Sequence, residues 1–137
     1  MFDEIVEVLK RDSSLHCEVG PRHIRVPPVD PTGFEVRILQ TGRGAYMVWF
    51  DGWHEEFDDY SEAVRCFAFG LSSHCRLKVL LKGKMRYRWT VECQKNSQWA
   101  EDSTTGLLLF PFWRRTSVAY LANKANLEYT PPAQLRR

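Results

Sequence analysis

Between two short runs of alternating residues, AYMVWF and WHEEF, stands the pair Asp51-Gly52. An Asp-Gly pair in that setting is a strong signal for a two-residue hairpin, because a type I′ turn needs φ > 0 at both central positions. The turn sets a register. Phe50 falls opposite Trp53, Trp49 opposite His54, Val48 opposite Glu55, Met47 opposite Glu56 and Tyr46 opposite Phe57. Side chains alternate along a strand, so Tyr46, Val48, Phe50, Trp53 and Phe57 share one face, interrupted by Glu55. Met47, Trp49, His54 and Glu56 share the other. The first face is the expected core. With FEVRILQ and the TGRG turn upstream, the pattern predicts a three-stranded meander.

A helix follows. Tyr60, Ala63, Val64, Phe67 and Leu71 form an apolar stripe, Asp59 stands at the N-cap, and Glu62 completes an Asp-x-x-Glu variant of the capping box. Phe2, Ile5, Val6 and Leu9 predict a shorter amphipathic helix over residues 2–11. Between the two, residues 20–33 carry Pro21, Pro27, Pro28 and Pro31, which predicts an extended strap. Residues 75–93 read as a second hairpin about Gly83. Matching its two apolar faces needs an odd loop, Lys82-Gly83-Lys84. A polar loop is expected over residues 94–106, then a buried strand LLLF at 107–110, with Pro111 marking a bulge or the strand's end. SVAYLAN, residues 117–123, fits a strand or a short helix. The expected fold is one α+β domain over residues 1–130. It has a mostly antiparallel sheet of five to six strands (meander, helix, hairpin, further strand) and two packed helices, with a loose tail at 131–137.

A chain of 137 residues is the size of one ordinary domain, and 44% hydrophobic with 26% charged residues is a globular composition. Acids near the N-terminus, where a secretory signal needs positive charge, and four cysteines without a Cys-x-x-Cys pair predict reduced thiols in a cytoplasmic protein. LLLFPFW, residues 107–113, is far short of the roughly 20 residues of a bilayer span. A net charge of +2 implies neither a nucleic-acid nor a membrane partner, and none is expected of a membrane.

Chemistry-bearing residues cluster in WFDGWHEEFDDY, yet the register separates them. Asp51 is explained by the turn and Asp59 by the cap. His54 with Glu56 is left as a two-ligand metal candidate that needs a third ligand from elsewhere. Glu55 is the acid that a catalytic cleft would use, with His54 as its companion, and a structural pair with Arg37 or Arg65 is the plainer reading. The basic hairpin, with Arg76, Lys78, Lys82, Lys84, Arg86 and Arg88, could neutralise phosphates, but Tyr87 and Trp89 fall on its opposite face, where they cannot stack on bases. His16-Cys17 and His74-Cys75 are adjacent pairs that point apart along a strand. No cofactor is implied.

The preferred functional reading is therefore a non-enzymatic binding module for a protein partner or a small apolar ligand. Tyr46, Trp49, Trp53, Trp113, Arg114 and Arg115 are its candidate contacts, since aromatics beside arginine are favoured at interfaces. A homodimer through residues 107–113 is an open arrangement of the same idea. A small hydrolase or isomerase using Glu55 and His54, and nucleic-acid binding through residues 76–88, are the alternatives.

Overall fold

A computed structural model describes residues 2–123. Among these are two helices and nine strands, arranged in two antiparallel sheets. The α+β class stands, but the strand count exceeds the five to six expected and the strands divide between sheets. The expected tail at 131–137 lies outside the described residues.

Helix α1 (Asp3–Lys10) opens with acids at its positive end, closes on Lys10, and buries Ile5 and Leu9. Five strands then run as a meander in the order β1-β2-β3-β4-β5: β1 (Glu18–Val19), β2 (His23–Val26), β3 (Val36–Gly42), β4 (Ala45–Phe50) and β5 (Trp53–Phe57). The strap is extended only in part: His23–Val26 is a full ladder strand with Ile24 and Val26 buried, whereas residues 29–33 bend and turn, Gly33 N donating to Asp30 O at 3.1 Å. Its prolines lie outside that strand, where no ladder hydrogen bond is lost.

The β4–β5 register matches the expected one at all five pairs. The turn chemistry differs. Asp51 has φ 55°, while Gly52 does not share a positive φ, so the turn is not type I′. Gly52 is required for space instead, because a Cβ there would lie 2.3 Å from the ring of Trp89.

Helix α2 (Tyr60–Leu71) packs on the inner face of β3, β4 and β5. Asp59 caps it, its side chain accepting from Ser61 N at 3.2 Å. Beyond α2 come β6 (Cys75–Lys82), β7 (Met85–Lys95), β8 (Gln98–Gly106) and β9 (Thr116–Leu121), in the order β8-β7-β6-β9. Three hairpin-linked strands and a fourth that returns beside the first make a Greek key. Of residues 117–123, those up to Leu121 thus belong to a strand, and none to a helix.

Two expectations about this second sheet are corrected. The β6–β7 apolar faces do match, with Leu77 opposite Val91 and Val79 opposite Trp89. The odd residue, however, is not in the turn. Lys82 pairs directly with Met85, and the ladder shifts between Leu80 and Leu81, so Tyr87 is inserted as a bulge. Residues 94–106 are not a polar loop: β7 continues to Lys95, Asn96 and Ser97 turn the chain at φ 52° and 65°, and β8 returns for nine residues. Being an edge strand, β8 carries no apolar alternation to reveal it.

One apolar core runs through both sheets and both helices, with Phe50, Trp53, Phe67, Phe69, Leu77 and Val91 fully buried in it. The sheets meet where β5 faces β7 and β8. There Trp53 Nε1 donates to Ser103 Oγ at 2.9 Å, and Trp89 Nε1 and Arg86 Nη1 each donate to Asp51 Oδ2 at 2.7 Å. Polar residues at 103 and 51 are where they are because they satisfy indole N–H groups at this seam.

Candidate interaction surface

The residues gathered by WFDGWHEEFDDY are dispersed by the fold. Trp53 is buried in the core, stacked on Phe50 at 4.6 Å between centroids. Tyr46 is half-buried and meets the edge of Tyr60 at 5.5 Å. Trp49 lies on the outer face of the first sheet, inside a row that crosses all five strands. Directly opposed pairs run Glu18, Arg25, Arg37, Trp49, His54. Arg25 bridges Glu18 at 2.5 Å and Glu35 at 2.6 Å, Arg37 lies over the Trp49 ring at 5.1 Å, and Trp49 stacks on His54 at 4.3 Å. Such cross-strand pairs stabilise a sheet whose outer face is wet. Trp49 Nε1 and Arg37 Nε make no hydrogen bond within the row.

This placement bears on the catalytic and metal candidates. His54 is exposed on the outer face, while the half-buried Glu55 points to the inner one, so the two do not line one cleft. His54 Nδ1 lies 3.4 Å from Gly52 O and its ring is occupied by Trp49. Among the described residues no group of three His, Cys, Asp or Glu side chains could hold a metal, and Glu56 gains no third ligand for His54. In the basic hairpin, Arg76 is committed to Glu92, at 2.5 and 2.7 Å, and is sandwiched between Trp99 and Tyr120 at 4.5 and 4.2 Å. Arg86 is committed to Asp51.

A different surface emerges at the opposite end of expectation. Residues 107–110 are not a buried strand. The ladder stops at Gly106, opposite Arg88 and next to the Tyr87 bulge, and the chain leaves the sheet to cross to β9. In this connection Leu108 is 96% exposed, Leu109 86%, Phe112 71% and Trp113 70%. Met85, at the adjoining hairpin tip, is exposed too.

The crossing is nevertheless anchored. Leu107 N donates to Tyr87 O at 2.8 Å, and Gly83 N to Arg115 O at 2.8 Å. Phe110 stacks on Tyr87 with centroids 4.4 Å apart. Within the connection Arg114 N donates to Pro111 O at 3.0 Å, and Phe112 meets Trp113 edge-on at 5.3 Å. The bulge that buries Tyr87 thus supplies the platform, and Pro111 supplies the bend.

Cations surround this apex. The Arg114 side chain lies against Gly83, Lys82 Nζ donates to Thr116 Oγ1, Lys84 stands in the hairpin turn, and Arg88 borders Gly106. No acid occurs over residues 76–91 or 103–123. Trp113, Arg114 and Arg115 were legible as contact candidates. Leu108 and Leu109 were expected only within a homodimer seam at 107–113, and Lys82 and Lys84 only as phosphate contacts of the basic hairpin; their meeting at one surface was not foreseen, although the two acid-free stretches are visible in the sequence.

The fold and this surface define an α+β protein with a two-sheet core and an exposed apolar, cationic apex. Comparison with protein-family models, curated proteins and solved structures returned no match.

Proposed function

We propose that this protein is a non-enzymatic interaction module whose contact surface is the apex at residues 107–115. The observation that carries the reading is the exposure of Leu108, Leu109, Phe112 and Trp113 on one anchored connection. Contiguous exposed apolar surface rimmed by polar groups marks an interaction site, whereas single exposed apolar residues are ordinary. Core packing does not account for Leu108 and Leu109, which are 96% and 86% exposed.

A small apolar ligand is the weaker form of the idea. A cavity of about 90 Å³ between Leu15, Val26, Pro27, Val29 and Leu71, away from residues 107–115, is small against the roughly 300–1,000 Å³ of ligand pockets. The reading is tested by the size of the native assembly. Freshly lysed cells making the protein should show it running heavier than its 16.1 kDa or pelleting with particulate material. The Leu108→Glu/Leu109→Glu variant should return it to monomer size with an unchanged melting temperature. Identical behaviour of both proteins at monomer size would remove the reading.

A further inference from the structure

The partner can be named by its chemistry, on the footing that the apex is the contact surface. We propose that the apex seats in the headgroup layer of an anionic lipid membrane. Leu108, Leu109, Phe112 and Trp113 enter the boundary with the acyl chains, while Lys82, Lys84, Arg114 and Arg115 meet the phosphates.

Charge carries the first half of the argument. The net charge of +2 hides a strong segregation. Lys82, Lys84, Arg86, Arg88, Arg114 and Arg115 ring the apex, and the carboxylate held there is Asp51, bonded to Arg86 at 2.7 Å. The rest of the chain carries more acids than bases. A one-sign cationic rim is complementary to an anionic leaflet, whose potential attracts each lysine or arginine within a Debye length of the surface. A protein partner would need a matching anionic patch shaped to this rim, whereas an anionic leaflet presents its charge everywhere.

Shape and composition carry the second half. Nearly fully exposed leucines need a matching pocket on a protein partner, whereas lipid accommodates exposed apolar side chains without one. Exposed leucine, phenylalanine and tryptophan next to arginine and lysine is the composition of interfacial anchors, in which the aromatic ring sits at headgroup depth and the cations reach phosphate. The tip is already tied down by the Tyr87, Gly83 and Phe110 contacts. Insertion therefore orders little new chain, which keeps the entropy cost of docking low. Insertion of side chains from a connection between strands requires no spanning helix. No helix among the described residues is long and apolar enough to cross a membrane.

The test uses the whole chain with phosphatidylcholine vesicles, with and without one third phosphatidylglycerol. The protein should co-sediment with the anionic vesicles and not with the neutral ones, and raising salt from low to physiological strength should weaken binding by about tenfold. Leu108→Glu/Leu109→Glu and Arg114→Glu/Arg115→Glu should each abolish it while far-UV circular dichroism and melting stay unchanged. Brominated lipid should quench tryptophan emission, and Trp113→Phe should remove most of that quenching. No binding to anionic vesicles at low salt, or binding that the leucine variant leaves intact, overturns the proposal. Velocity sedimentation separates that failure from failure of the module reading. An assembly of protein copies that the leucine variant dissolves would leave the apex as a contact surface for protein. No change in either measurement would remove both.

Discussion

The Asp51 carboxylate takes two hydrogen bonds from the second sheet while it turns the chain in the first. Sequence alone gives only the second role, because nothing local to Asp51-Gly52 points to Arg86 and Trp89, 35 and 38 residues on. Removing the acceptor strands the Trp89 N–H at a partly buried seam, so Asp51→Ala should cost about 2–3 kcal/mol. Asp51→Asn keeps an oxygen acceptor and loses the charge, and should cost about 1 kcal/mol. Urea denaturation of both variants checks the order; equal midpoints for all three proteins would mean the staple contributes nothing. The cysteines give a second residue-scale test. Burial pushes the Cys93 thiol above its ordinary value of 9.0, with Asp102 adding to the effect and Lys95 opposing it, and burial alone raises Cys17. A raised value means the native state favours the protonated thiol. Its contribution to stability is therefore present below pH 9 and is lost as pH climbs through the raised value. At pH 8 both thiols should alkylate more slowly than an unfolded control, and Cys93→Ser should flatten the loss of stability above pH 9.

Helix α2 shows what was legible at the scale of elements. Its apolar stripe and Asp59 cap are local features, and the structure returns its bounds, just as alternation and a tight turn returned β4 and β5. Its contacts were not legible. Gly70 looks like a weak point in a helix, where alanine usually gains about 1 kcal/mol over glycine. Here a Cβ would meet the Phe50 ring at 2.3 Å, and Phe50 is fully buried. Overpacking of that kind costs about 1–3 kcal/mol, so Gly70→Ala should lower stability despite the helical gain. A thermal melt showing Gly70→Ala to be stabilised would mean Phe50 can move aside. The misplaced elements failed for a related reason. β8 reads as loop because its inward residues, Ser103 and Thr105, are polar partners for Trp53 and the backbone of His54. LLLF reads as buried because an apolar run has the same composition whether the fold covers it or leaves it bare. Deciding that needed the Tyr87 bulge, a consequence of matching faces across β6 and β7 that sequence reasoning had located in the turn. So the candidate site was visible in its arginines, in Trp113 and in the 107–113 run as a dimer seam, while the exposure of its leucines was hidden.

At the scale of the molecule, two sheets of different topology share one core without sharing a ladder. Their join is made of side chains: Trp53 on Ser103, Asp51 on Trp89 and Arg86, and the close approach of Trp89 to Gly52. Asn123 adds a tie at the far edge, donating to Gly70 O at 2.9 Å and accepting from Phe34 N at 3.1 Å, so the end of β9 holds the end of α2 and the approach to β3. Neither sheet can open without exposing apolar surface of the other, since Phe50, Trp53, Val79 and Val91 belong to the same buried cluster. This makes one cooperative transition the expected behaviour. Tryptophan emission reports the join through the buried Trp53 and Trp89, over a background from Trp49, Trp99 and Trp113, and far-UV circular dichroism reports both sheets and the helices. Urea curves from the two signals should superimpose. Trp53→Phe, which keeps a ring in the core and removes the bond to Ser103, should move both curves together by about 1 kcal/mol. Curves that separate, or a substitution that shifts only the emission signal, would show that the four-stranded sheet unfolds as its own unit. The apex would then ride on that sheet alone.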